Sequence, residues 1–114
     1  GYGYAKLPKK LRQEWQKSIE GYLKDNQLLK LVFLLLDSRH EIMDNDRLMI
    51  SWLDYYEVPF MLVLTKTDKI SNNQYRTISS KIGNEYPDRK ILRFSSKNTT
   101  GREEILRILE KLIN

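Results

Sequence analysis

Two short polar stretches carry most of the chemistry this sequence offers: Thr65-Lys66-Thr67-Asp68 and Ser95-Ser96-Lys97. Each directly follows an apolar run. In open α/β sheets, ligands bind outside the carboxyl ends of the strands. A carboxylate there accepts two parallel hydrogen bonds from a ligand that presents two adjacent N–H donors. Guanine has such an edge in N1–H and its N2 amino group. Adenine lacks it and would leave Asp68 unpaired, which is costly in a partly dry site. The apolar stem of Lys66 suits the face of a flat base, with its ammonium left for polar atoms nearby. Ser95, Ser96 and Lys97 would offer backbone N–H groups to guanine O6. A third polar stretch, Asp37-Ser38-Arg39-His40, follows the first apolar run, so three strand ends deliver polar groups to one rim.

The elements that must position these residues are legible. Leu31–Leu36, Phe60–Leu64 and Lys90–Phe94 read as buried strands. The first two lack alternation, which predicts strands covered on both faces, as in parallel sheets. Pro8 suits a helix start, and Leu11, Trp15, Ile19 and Tyr22 recur at helical spacing. Asp44 reads as the N-cap of a second helix that buries Leu48, Met49, Trp52, Leu53 and Tyr56, with Pro59 closing the segment. Ser71 with Gln74, and Thr100 with Glu103, read as capping boxes. The first opens a helix through Ile78 and Ile82; the second opens one through Ile105, Ile108, Leu109 and Leu112. Strands alternating with helices predict an α/β fold of three layers, α/β/α, with a mainly parallel sheet.

At 114 residues the chain is sized for one modest domain. No apolar run approaches the roughly 20 residues of a membrane-spanning helix, and no signal-peptide pattern opens the chain. A cytoplasmic location is therefore expected, with no membrane partner. With no cysteine, disulfides and thiolate metal sites are excluded. A net charge of +5 leaves polyanionic partners such as RNA open. The basic group Lys6, Lys9, Lys10, Arg12 and Lys17 reads either as a solvated helix face or as an RNA contact. His40, with Glu41, Asp44 and Asp46 close by, reads as part of a helix N-terminus and not as a metal site.

The motifs resemble those of P-loop GTPases: T-K-T-D resembles N/T-K-x-D, and S-S-K resembles S-A-K. Over longer stretches, GYGYAKLPKK, LLLDSRHEIMDNDRLMISWL and VPFMLVLTKTDKI resemble the EngB (YsxC/YihA) family of bacterial ribosome-biogenesis GTPases, in the TrmE–Era–EngA–EngB group. The resemblance covers nearly the whole chain. It implies a GTP/GDP-binding protein with Mg²⁺, a Ras-like P-loop GTPase fold, a role in large ribosomal subunit assembly and a link to cell division and septation. It implies nucleotide-binding roles for Gly1, Thr65, Lys66, Asp68, Phe94, Ser95, Ser96 and Lys97, with no catalytic or metal-ligating residue in this chain. Gly1 would be the glycine of the family's D-x-P-G motif. Residues 1–114 would then be the C-terminal part of a single G domain, lacking the phosphate loop and the Mg²⁺ ligands. The intact protein is expected to hydrolyse GTP slowly, and these residues alone to hydrolyse nothing. Tyr2 stands where Ras-type proteins carry a catalytic glutamine.

GYGYAK has no strand before it, and three strands are few for an open parallel sheet. The Leu31–Leu36 edge is therefore expected to be covered by a separate N-terminal piece, a second copy or a swapped element. Two other readings remain open. Asp37, Thr65 and Lys97 could be the phosphoacceptor, hydroxyl and lysine of a receiver domain, although no strand precedes Asp37 to carry a receiver's acidic pair. The basic face could also act alone as a non-catalytic RNA-binding module.

Overall fold

The computed structural model describes residues 8–25 and 31–113. The element order is α1 (Lys9–Asp25), β1 (Val32–Asp37), α2 (Asp44–Tyr55), β2 (Phe60–Thr65), a 3₁₀ turn (Thr67–Lys69), α3 (Asn72–Glu85), β3 (Ile91–Arg93) and α4 (Arg102–Ile113). The α/β alternation and the order of elements are those the sequence predicts. The described chain forms two compact units. One comprises residues 8–25, 31–32 and 42–60; the other comprises 33–41 and 61–113.

The first unit holds α1 and α2. Asp44 and Asp46 lie in the first turn of α2, where carboxylates favour the helix dipole. Asp44 is not the cap itself: Met43 occupies that position, and the Asp46 carboxylate accepts from the Met43 N–H at 3.1 Å. Ile50, Trp52 and Leu53 are buried, whereas Leu48, Met49 and Tyr56 are half-buried. Past the helix, Val58 N–H donates to Leu53 O at 2.9 Å, and Tyr56 Oη donates to the Glu20 carboxylate of α1 at 3.2 Å. In α1 the expected apolar stripe is only partly a core. Leu11 is exposed and Ile19 half-buried, while the side chains of Trp15 and Tyr22 lie outside those described. An amphipathic helix buries its stripe only where another element meets it, and the described residues do not cover Leu11.

The second unit contains nearly all of the sheet, whose strand order is β1-β2-β3. β2 pairs with β3 in parallel, with Leu62 opposite Ile91 and Leu64 opposite Arg93. Val32 N–H donates to Pro59 O, and Ser38 N–H to Thr65 O. That constant offset makes β1 parallel to β2 as well. Central β2 buries Leu62, Val63 and Leu64 together, as a strand covered on both faces must. β1 departs from expectation: Leu34 and Leu36 are buried, but Leu35 between them is 59% exposed. It is an edge strand, and among the described residues nothing pairs its outer side. The cover expected for the Leu31–Leu36 edge is not supplied by these residues. β3 is also shorter than the predicted Lys90–Phe94.

Two helix starts contrast. At α3 the predicted capping box forms in full: Gln74 N–H donates to Ser71 Oγ at 3.1 Å, and Ser71 N–H donates to Gln74 Oε1 at 2.8 Å. At α4 the box predicted from Thr100 and Glu103 does not form. Gly101 stands between Thr100 and the helix at φ +82°, and the Thr100 hydroxyl donates to Asn98 Oδ1 at 2.7 Å. A side-chain carbon at Gly101 would lie 2.0 Å from the Arg93 carbonyl oxygen. Only glycine fits that combination of left-handed backbone and close approach. Gly101→Ala is expected to lower stability by about 2–4 kcal/mol, read as a lower urea midpoint with an unchanged slope.

Candidate functional site

The rim at the carboxyl ends of the strands is built by continuing the β2–β3 ladder into the two loops. Phe94 N–H donates to Leu64 O at 2.9 Å. The Phe94 carbonyl in turn accepts from the Thr67 hydroxyl at 3.0 Å and from Thr67 N–H at 3.4 Å. Thr67 is buried. It fills the variable position of T-K-T-D, and sequence reasoning gave it no role. Its signal is weak, since only its place after a strand sets it apart from any loop threonine.

Lys66 adopts a left-handed backbone at φ 57°, ψ 33°. This turns the chain out of the strand, so that Lys69 N–H closes a tight turn on Lys66 O at 3.0 Å. Asp68 follows on the exposed side. Ser95 Oγ, fully buried, donates to Asp68 Oδ1 at 2.7 Å. The same Ser95 oxygen accepts Lys97 N–H at 3.2 Å and Asn98 N–H at 3.4 Å. One hydroxyl therefore ties the carboxylate of one loop to the backbone of the other. The Ser95 hydrogen bond, with help from Lys69 and Lys97, holds the Asp68 carboxyl below the usual carboxylate range. Asp68 thus presents a fixed, ionised carboxylate to solvent.

The three backbone donors expected from S-S-K are not equivalent. Ser95 N–H donates to Thr100 O at 3.1 Å, and Lys97 N–H is taken by Ser95 Oγ. Only the Ser96 N–H is left without a partner among the described residues. Phe94 is half-buried, and its main chain supplies the contacts to Leu64 and Thr67. Thr65 serves the scaffold: its hydroxyl donates to Leu36 O at 3.3 Å, and its carbonyl accepts Ser38 N–H at 3.1 Å. Gly1 lies outside the described residues.

Asp37, at the end of β1, faces the same rim. Arg39 grips its carboxylate with Nε to Oδ1 at 3.1 Å and Nη2 to Oδ2 at 2.8 Å, and the Arg39 N–H adds a third bond at 3.0 Å. Lys66 Nζ lies 3.5 Å from Asp37 Oδ2. The Arg39 hydrogen bonds hold the Asp37 carboxyl well below the usual carboxylate range; partial burial opposes them, and Lys66 reinforces them. The receiver-like arrangement of Asp37, Thr65 and Lys97 is not what forms. Asp37 engages Arg39 and Lys66, and the Thr65 hydroxyl turns to the backbone. Ser38 is buried with its hydroxyl unpartnered among the described residues, and His40 is exposed. The nearby acids are engaged elsewhere: Glu41 pairs with Lys81 at 2.8 Å and Asp44 with Arg47 at 3.2 Å.

Both rim carboxylates have depressed pKa values. Each therefore contributes stability above its unfolded value of about 3.9, which is lost as pH falls through the lower folded value. The urea midpoint is expected to stay level from about pH 7 to pH 5 and to fall below about pH 4. Asp37→Asn should flatten part of that fall, as followed by urea melts across the pH series.

No protein-family model matches the chain. Its sequence is 44% identical over 117 aligned residues to a protein called probable GTP-binding protein EngB from Desulforamulus reducens, covering all of this chain and 57% of that protein. It is 42% identical over 118 aligned residues to the protein of the same name from Clostridium kluyveri, covering 100% and 59%. The chain thus spans a little over half the length of the curated relatives it matches. Among solved structures it superposes on a probable GTP-binding protein EngB with TM-score 0.73 at 19% identity, covering 94% of this chain and 70% of that one. It also superposes on translation elongation factor SelB from Methanococcus maripaludis, solved with the GTP analogue GppNHp. There the TM-score is 0.71 at 15% identity, covering 86% and 23%. These superpositions show the P-loop GTPase type of fold.

Proposed function

We propose that this chain, which belongs to the EngB family of GTP-binding proteins, is the guanine-reading part of a G domain. The observation that carries the reading is the Ser95–Asp68 hydrogen bond of 2.7 Å, which fixes an ionised carboxylate against the loop whose Ser96 N–H has no partner among the described residues. Asp68 accepts guanine N1–H and the N2 amino group. Ser96 N–H donates to O6. The stem of Lys66 lies along the base. Donor and acceptor positions then match guanine and oppose adenine, whose Watson–Crick edge reverses the pattern. Thr65, Thr67 and Ser95 hold the two loops through their hydroxyls, and Phe94 and Lys97 through their main chain.

Phosphoryl transfer depends on a phosphate cradle, positioning and Mg²⁺. Among the described residues no group of three His, Cys, Asp or Glu side chains could hold a metal ion. The described residues are assigned the base, and hydrolysis of GTP is assigned to the intact protein, where ligands outside the described residues would hold Mg²⁺. A separate N-terminal piece, a second copy or a swapped element is the proposed cover for the β1 edge. The ribosomal role of the family, assembly of the large subunit with its link to septation, is supported here by the net charge of +5 and by exposed Lys9, Lys10 and Lys17 on α1. No helix of the described residues is long and apolar enough to cross a membrane.

The test is nucleotide selectivity of the intact protein. GDP is expected to bind far more tightly than ADP. Asp68→Asn should weaken GDP by about 10- to 100-fold, the worth of a charge-assisted pair, and improve binding of xanthosine diphosphate, which offers an acceptor where guanine offers a donor. Thr65→Ala should cost less than Asp68→Asn, since Thr65 touches only scaffold. Equal affinities for GDP and ADP in the unmodified protein would refute the reading.

A further inference from the structure

Two cations share the Asp37 carboxylate, and only one of them belongs to the base-reading motif. Arg39 grips Asp37 through two guanidinium nitrogens and its own N–H, at 2.8–3.1 Å. This geometry fixes both carboxylate oxygens, because a planar guanidinium matches a carboxylate atom for atom. Asp37 is itself only a quarter exposed, at the end of a strand. Lys66 differs: its side chain is 56% exposed and touches Asp37 through a single contact of 3.5 Å. A lysine side chain carries about 2 kcal/mol of rotamer entropy and, free in water, samples many positions. Lys66 must also leave a left-handed backbone, so its direction of exit differs from that of an ordinary strand residue.

We infer that Asp37, locked by Arg39, is a positioning residue for Lys66: it draws the ammonium toward the β1 end and lays the lysine stem across the place the base would occupy. The inference rests on the guanine-reading assignment above and deepens it. It explains why the strand-end carboxylate needs a second, stronger partner. An Asp37 paired with Lys66 alone would move with it. Held by Arg39, it is a fixed anchor, and ordering Lys66 in advance removes part of the entropy cost of binding. The same chemistry predicts salt sensitivity, because a half-exposed single-contact pair is screened.

A double-mutant cycle in the intact protein separates this role from a merely structural one. GDP affinity is measured by titration for the unmodified protein, Asp37→Asn, Lys66→Ala and the double variant, each first checked for a cooperative melt. Asp37→Asn is expected to weaken GDP by about three- to fivefold, the range of an exposed ion pair. The same change in the Lys66→Ala background is expected to have no effect, because the anchor then has nothing to position. If Asp37→Asn fails to melt cooperatively, Arg39→Gln takes its place in the cycle, with the same loss expected and the same dependence on Lys66. An unchanged GDP affinity on removing Asp37 overturns the inference and leaves the base-reading assignment standing. An equal loss in both backgrounds also overturns it, since Asp37 then acts by a route other than Lys66. An unmodified protein that does not prefer GDP to ADP overturns both.

Discussion

Parallel pairing of β2 with β3 is the constraint on which the rest of the rim depends. In a parallel pair both strands end on the same side, so the loop after Thr65 and the loop after Arg93 must emerge together. The register then fixes which residues meet. With Leu64 opposite Arg93, Phe94 N–H continues the ladder to Leu64 O, and the Phe94 carbonyl is left facing Thr67. Thr67 satisfies that carbonyl with hydroxyl and N–H, which spares a buried acceptor the cost of going unpaired. A slip of one residue would move the Phe94 carbonyl away from Thr67 and separate Ser95 from Asp68.

From that constraint the electrostatics follow. The rim gathers Asp37, Asp68, Arg39, Lys66, Lys69 and Lys97 within two loops and a strand end. Each carboxylate has its own donor: Ser95 for Asp68, Arg39 for Asp37. Both carboxyls are thereby held below the usual carboxylate range, Asp37 well below it. A non-glycine residue in the left-handed region costs on the order of 1 kcal/mol, and Lys66 sits there between a buried strand and a 3₁₀ turn. The bend is what lets Asp68 face solvent while its neighbour Thr67 is buried.

Several local features were legible because their causes are local. The capping box of Ser71 and Gln74 joins residues three apart in the chain, and it forms as read. The Thr100–Glu103 pattern has the same spacing and fails, because Asn98 claims the Thr100 hydroxyl and the Arg93 carbonyl forces a glycine conformation at Gly101. The pattern carried no sign of either competitor, as both lie upstream of it, Asn98 in the preceding turn and Arg93 on β3. The apolar run of β1 likewise reads as buried on both faces, yet Leu35 is exposed, because composition records what a strand is able to bury and not what is present to cover it.

By itself the sequence determined the alternation of helices and parallel strands, the placement of T-K-T-D and S-S-K at strand ends, and the resemblance to EngB that its relatives bear out. Those are consequences of hydrophobic periodicity and of residue type, which the chain carries with it. Tertiary structure alone decided which donors of the second loop are spent and which is left without a partner among the described residues. Three N–H groups looked equivalent in S-S-K, and the fold commits Ser95 to Thr100 and Lys97 to Ser95. It also decided that Asp37 faces Arg39 and Lys66, a juxtaposition of residues 29 positions apart that depends on β1 lying beside β2. Hydrogen bonds saturate, and each group takes the partner that folding brings within about 3 Å. A linear sequence records the groups but not those distances.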